Sequence, residues 1–131
     1  MFAAVRPATG ANFALVLPTV STRAMHLFLE RFAAQLDPDE HAVVVLDQAG
    51  WHASRALTPP ATVTLVPLPR YSPELNPVER VWLYLRERFF SHRVLNDYDT
   101  IVGALCNAWN QISRERMHTL TKYPYIEQVI A

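Results

Sequence analysis

Apolar positions along the chain change their period several times, and each change marks an element. The runs FAAVRP and FALVLPTV are short and are separated by Thr9, Gly10 and Asn12, a pattern that predicts two strands joined by a turn. From Ser21 the spacing becomes helical. Met25, Phe28, Leu29, Phe32, Ala33 and Leu36 fall on one face, Ser21 or Thr22 supplies a cap, and DPDE supplies the stop. HAVVVLDQAG is then a continuous β-branched run, the mark of a strand buried on both faces and ending at Asp47. A short connection with Trp51, His52 and a TPP turn leads to a further strand, Val63 to Leu68. A helix from Pro77 places Val78, Val81, Trp82 and Leu85 on one side, and a last helix carries Ile101, Val102, Leu105, Trp109 and Ile112. After Arg114 the periodic signal weakens. No repeat, low-complexity tract or linker divides the chain, so the pattern predicts one α/β domain.

Composition narrows the class. A chain of 131 residues with 50% hydrophobic and 18% charged residues can bury a real core, and no apolar run reaches the length of a membrane span. Arg6, Pro7, Gly10 and Asn12 interrupt the first twenty residues, so no signal-peptide core forms and a cytoplasmic setting is expected. Cys106 stands alone, which excludes an internal disulfide and makes it a small core filler. Twelve Lys+Arg balance twelve Asp+Glu, an argument against a generic nucleic-acid binder. The distribution tempers it: Arg70, Arg80, Arg86, Arg88 and Arg93 outnumber Glu74, Glu79 and Glu87 around one segment. Arginines there either grip phosphate through their planar forks or form an ordinary solvated helix face.

That segment is PLPRYSPELNPVERVW, whose prolines deliver Glu79 to the opening turn of a helix. Its bland reading is a capping box: Asn76 as cap, Pro77 at the first helical position, Glu79 three residues after the cap. Glu79 also lies at the edge of the Val78 and Trp82 stripe, from which its carboxylate can face a sheet, and both roles stay open. Asp47 ends the VVVL strand at its carboxyl edge, where open α/β sheets place ligands. A solvated acid beginning the DQAG turn is the equal alternative. Two carboxylates brought together suit a hard cation such as Mg²⁺, together with phosphate oxygens, and point to phosphoryl transfer. His52 either contacts a phosphate or, more commonly for a histidine, packs or caps locally. Among Trp51, Tyr71, Trp82 and Trp109, Tyr71 is the best exposed candidate for base stacking, the others fitting helix or turn packing.

VVVLDQAGWHAS, LVPLPRYSPELNPVERVW and FAAVRPATG together resemble the catalytic domain of mariner-like DDE transposases, in the bacterial insertion-sequence branch, from Met1 to about Trp109. The resemblance implies a ribonuclease-H-like mixed sheet with flanking helices. It further implies three acids holding two Mg²⁺ (or Mn²⁺) ions for attack of water or a DNA 3′-hydroxyl on a phosphodiester. Asp47 matches the second acid and Glu79 the third, and the proline-rich turn is implied to fix the latter against the sheet. DNA, as transposon ends and target, is the expected substrate, with His52, Arg70, Tyr71, Arg80 and Arg86 as expected contacts.

The chain departs from the family in one respect that matters. The family's first Asp lies on a strand upstream of FAAVRPATG, and Asp37, Asp39 and Glu40, in the loop after the long helix, do not replace it. Residues 1–131 are thus expected to form a partial catalytic domain without its first, central strand and without a separate DNA-recognition domain. The implied partners are DNA, an upstream transposase half or a second copy of the chain, with a nucleoid location when DNA-bound and no membrane. The rival reading is a non-catalytic remnant that folds and binds nucleic acid or a partner chain. A stand-alone hydrolase using Asp47 and His52 is weaker, because it leaves YSPELNPVE without a role. Residues 113–131 carry no functional reading.

Overall fold

In the computed structural model, which describes residues 1–47, 57–90 and 96–126, the elements follow the order β1 (Phe2–Val5), β2 (Asn12–Leu15), α1 (Thr22–Ala33), β3 (Ala42–Leu46), β4 (Val63–Pro67), α2 (Val78–Phe89), α3 (Tyr98–Gln111) and α4 (Arg114–Leu120). They divide into two compact units, Met1–Phe2 with Leu17–Asn76, and Ala3–Val16 with Pro77–Ala131.

In the first unit, Ser21 opens α1: its backbone is extended and its hydroxyl accepts the Ala24 N–H at 3.1 Å, satisfying one of the helix's orphan donors. Met25, Phe28 and Leu29 are buried at the expected spacing, and Phe28 stacks on Phe2 at a centroid distance of 5.8 Å. β3 and β4 pair in parallel, from Ala42 opposite Val63 to Leu46 opposite Pro67. The Leu68 N–H extends the ladder to the Leu46 carbonyl at 2.7 Å. At the other end the Ala42 N–H meets the Thr62 carbonyl at 2.8 Å. His26 on α1 accepts the Thr58 N–H at 3.0 Å, tying the approach to β4 onto the helix.

The register corrects one expectation. Leu46 and Val63 are buried on one face of the pair, but Val43 is 64% exposed and Val66 41% exposed, and the pairing puts them on the opposite face. β3 is therefore covered on one face only. A continuous β-branched run fits a strand buried on both sides equally well, and composition alone does not distinguish them.

The second unit holds the β1–β2 sheet from Ala3 onward and three helices. With six residues between the strands, too few for a parallel crossover, β1–β2 is a hairpin, closed by the Arg6 N–H on the Ala11 carbonyl at 2.7 Å. Gly10 sits in its turn at φ +78°, and an added Cβ there would lie 1.8 Å from the Arg114 carbonyl oxygen, so the turn packs backbone to backbone against the start of α4. His118 on α4 donates through Nδ1 to the Pro7 carbonyl. Trp109, buried on α3, donates its indole N–H to Asn12 at 2.9 Å and lies 5.7 Å from the Trp82 ring of α2. On α3 the predicted stripe holds at Trp109 and Ile112, whereas Ile101 is exposed. The helix α4, capped by Ser113 on the Arg116 N–H at 3.0 Å, is an element the sequence pattern did not predict.

Among the described residues the strands thus form two separate two-stranded sheets, one a hairpin and one parallel, rather than one mixed sheet. The fold is α/β in composition, as predicted. Cys106 is half-buried on α3.

Truncating Leu29, which has no exposed surface, to Ala is expected to destabilise the protein by about 2–5 kcal/mol in denaturant titration. Val43→Ala is expected to stay within about 0.5 kcal/mol of wild type. Equal losses would mean that the outer face of the β3–β4 pair is covered.

A second expectation concerns Asp97. The Thr100 backbone N–H, at 2.7 Å, and then the Thr100 side chain hold its carboxyl below the usual 3.8. A lowered folded value means the contribution is present above 3.8 and is lost as pH falls through the folded value. Asp97→Ala should lower the Tm at neutral pH, with the gap to wild type closing in acid; a gap that stays constant down to a pH at which the folded-state carboxyl is itself protonated would assign the loss to another cause.

Candidate functional site

Asp47 is the residue immediately after β3, half-buried, at the edge where both parallel strands end. It stands there because Leu46 is held twice, by register with Pro67 and by its carbonyl's bond to Leu68. The chain leaving β4 starts from the same edge. It runs through exposed Arg70 and Tyr71 into a 3-10 turn at Pro73–Leu75. Tyr71 has φ +59°, the left-handed region that residues with a Cβ seldom enter, and its side chain is 95% exposed.

Glu79 lies in the first turn of α2 and is exposed. The helix starts on Pro77, which has helical torsions of φ −58° and ψ −27° and makes no side-chain capping bond. Its ring presets φ for the first turn. A carboxylate in a first turn is favoured by the helix dipole. Asp47 belongs to the first compact unit and Glu79 to the second.

The other expected contacts divide. His52 lies outside the described residues. Arg86 is exposed in the last turn of α2, where a cation complements the helix's carbonyl end. Arg80 has a packing partner that sequence reasoning missed: its guanidinium sits 4.2 Å from the ring centre of Tyr123, a buried residue only 8% exposed. Arg116 of α4 lies over Tyr84 of α2 at 5.7 Å, and Thr121, fully buried, donates its hydroxyl to the Met117 carbonyl at 2.7 Å. Tyr123 meets Tyr125 edge-on at 6.1 Å, and burial, then the neighbouring Tyr123, push the Tyr125 phenol up. The segment after Arg114, without a helical apolar stripe, thus braces the helix that bears Glu79. Ser113 with Glu115 in the following turn was the available signal for α4.

Carboxylate oxygens are the donors a hard cation takes, and Asp47 and Glu79 are of that kind. Among the described residues no group of three or more His, Cys, Asp or Glu side chains is gathered to hold a metal ion. The donor chemistry fits Mg²⁺ or Mn²⁺; two carboxylates fall short of a full set.

Residues 1–102 match the family model of the DDE superfamily endonucleases. The chain belongs to that family. A protein of similar length, the uncharacterized protein y4pE/y4sA of Sinorhizobium fredii (strain NBRC 101917 / NGR234), is 46% identical over 112 residues, covering 86% of this chain and 83% of the relative. No solved structure matches. The family match ends within α3, so α4 and Tyr123 lie beyond it. No described helix of this DDE-family chain is long and apolar enough to cross a membrane.

The bracing of α2 can be measured. In a double-mutant cycle, Arg80→Ala and Tyr123→Leu are expected to show a coupling of about 1 kcal/mol. Additive losses would return Arg80 to the group of ordinary surface cations.

Proposed function

We propose that the chain is the carboxyl-terminal part of a transposase catalytic domain, acting in metal-dependent cleavage and transfer of DNA strands once its site is complete. The observation that carries this reading is the position of Asp47, half-buried on the residue after β3 at the edge where two parallel strands end, in a chain of an endonuclease family. Ligands of α/β sheets collect at that edge. Asp47 and Glu79 are the residues that would hold Mg²⁺ or Mn²⁺, which would supply activation of a hydroxyl nucleophile and stabilisation of charge at the phosphodiester. Asp47 and Glu79 are two of the three acids this chemistry uses, and in this reading a further polypeptide segment or copy brings the third.

The chain's own residues supply position and charge. β3 holds the Asp47 carboxylate at a fixed strand end, and α2, braced through Arg80 on Tyr123, holds that of Glu79. Arg70 and Arg86, both exposed, meet the DNA backbone as forked phosphate donors, and His52 follows Asp47 closely enough in sequence to join them. The ribonuclease-H-like plan is part of the proposal: a strand bearing the third acid adds to an edge of the β3–β4 pair.

The test has two arms. Calorimetric titration with Mn²⁺ is expected to show weak binding to residues 1–131 that Asp47→Ala and Glu79→Ala each remove, and binding indifferent to both would separate these residues from any metal. The purified chain is expected to leave transposon-end DNA uncut in Mg²⁺, and co-expression with an upstream segment carrying the further acid should bring cleavage. Mg²⁺-dependent nicking by 1–131 alone, abolished by Glu79→Ala, would show a complete site. A chain that neither binds metal nor responds to the segment is the non-catalytic remnant.

A further inference from the structure

The turn that leaves β4 exposes an aromatic ring at the expense of its own backbone. Tyr71, at φ +59°, is in a region that costs energy for any residue with a Cβ. Such strain is ordinarily offset where the side chain is buried in a core, yet this ring is 95% exposed. The surroundings hold the conformation. The Ser72 hydroxyl donates to the Arg70 carbonyl at 3.3 Å, bridging across Tyr71, and the Ser72 carbonyl accepts the Leu75 N–H at 3.1 Å. Pro69 and Pro73 restrict φ on both sides. Three residues before Tyr71, the Leu68 N–H is bonded to Leu46, the residue preceding Asp47. The ring therefore stands on a stiff mount rooted at the sheet edge that carries Asp47, all within one compact unit.

We infer that Tyr71 is a stacking platform for an unpaired nucleobase of the DNA strand handled at the Asp47 edge. The inference rests on the proposed action on DNA and names the form of substrate: a single-stranded or flipped-out nucleotide. A base offers its π-face to a side chain only when it has left the stack, and aromatic stacking tolerates any sequence. The neighbours suit a nucleotide better than a protein surface. Pro69, Arg70 and Glu74, close to the ring in sequence, are exposed, and the guanidinium of Arg70, the residue before it, is a group suited to a phosphate. Strain at a residue that gives up burial is what a binding function leaves in a backbone.

The experiment uses the full chain and an oligonucleotide carrying a fluorescent aminopurine, single-stranded or in a duplex, with EDTA and then with Mg²⁺. Wild type and Tyr71→Trp are expected to bind the single strand and change the aminopurine emission through stacking. Tyr71→Ala should weaken single-strand binding by about five- to a hundredfold and lose the emission change, with a smaller effect on the duplex. Tyr71→Gly should lose binding in the same way yet raise the Tm, because glycine relieves the left-handed strain. A wild-type chain that ignores the single strand, a Tyr71→Ala variant that binds like wild type, or a Tyr71→Gly variant with a lowered Tm would each overturn the platform; the last would make the residue structural or a protein contact. The two proposals fail separately. Stacking lost in Tyr71→Ala with Mn²⁺ binding indifferent to Asp47→Ala sinks the catalytic reading alone, and the reverse pair of results sinks the platform alone.

Discussion

Much of what is chemically interesting in the first unit follows from one parallel hydrogen-bond ladder. Because β3 and β4 run the same way, they end at the same edge, so Asp47 and the proline-rich exit from β4 start side by side. An antiparallel pair would have sent them to opposite ends. The Leu68 to Leu46 bond of 2.7 Å fixes this start one residue before the carboxylate. Parallel pairing also demands a crossover rather than a tight turn, which is why the stretch between Leu46 and Val63 is long enough to carry residues of its own.

The prolines of the following segment act on conformational entropy. Each removes a range of φ from the unfolded chain, so the turn reaches the helix start with less freedom to lose. Within that stiff path the chain accepts one left-handed residue, Tyr71, and closes it with the Ser72 to Arg70 bond. Pro77 then enters α2 with helical torsions already set. The path therefore accounts for both an exposed ring and a placed carboxylate, and neither depends on bulk hydrophobic burial.

In the second unit, the helix with Glu79 depends on polar and aromatic contacts from distant parts of the chain. Trp109 is buried because its indole N–H has Asn12 to bond, and Trp82 packs against it. Arg80 covers Tyr123, and Gly10 lets the hairpin turn touch the backbone of α4 where any Cβ would collide. These residues include some beyond the family match, so the part of the chain without a family motif serves as the support of the part that has one.

The strands, α1, α2 and α3 were legible because each has a local cause: periodicity of apolar side chains, Ser21 as a cap, proline and glycine as stops. Asp47 and Glu79 became candidates through residue type, position after a strand and in the first turn of a helix, and motif. By itself the sequence determined the order of the elements through α3, the endonuclease family and the candidate carboxylates, since all of these reside in short-range spacing. Tertiary structure alone decided which face of β3 is bare, that α4 braces α2, that Arg80 lies on Tyr123, and that Tyr71 is held strained and outward. Those outcomes depend on register and on contacts between residues far apart in the chain: a slip of one residue exchanges the faces of a strand, and no local pattern encodes which ring a guanidinium will meet.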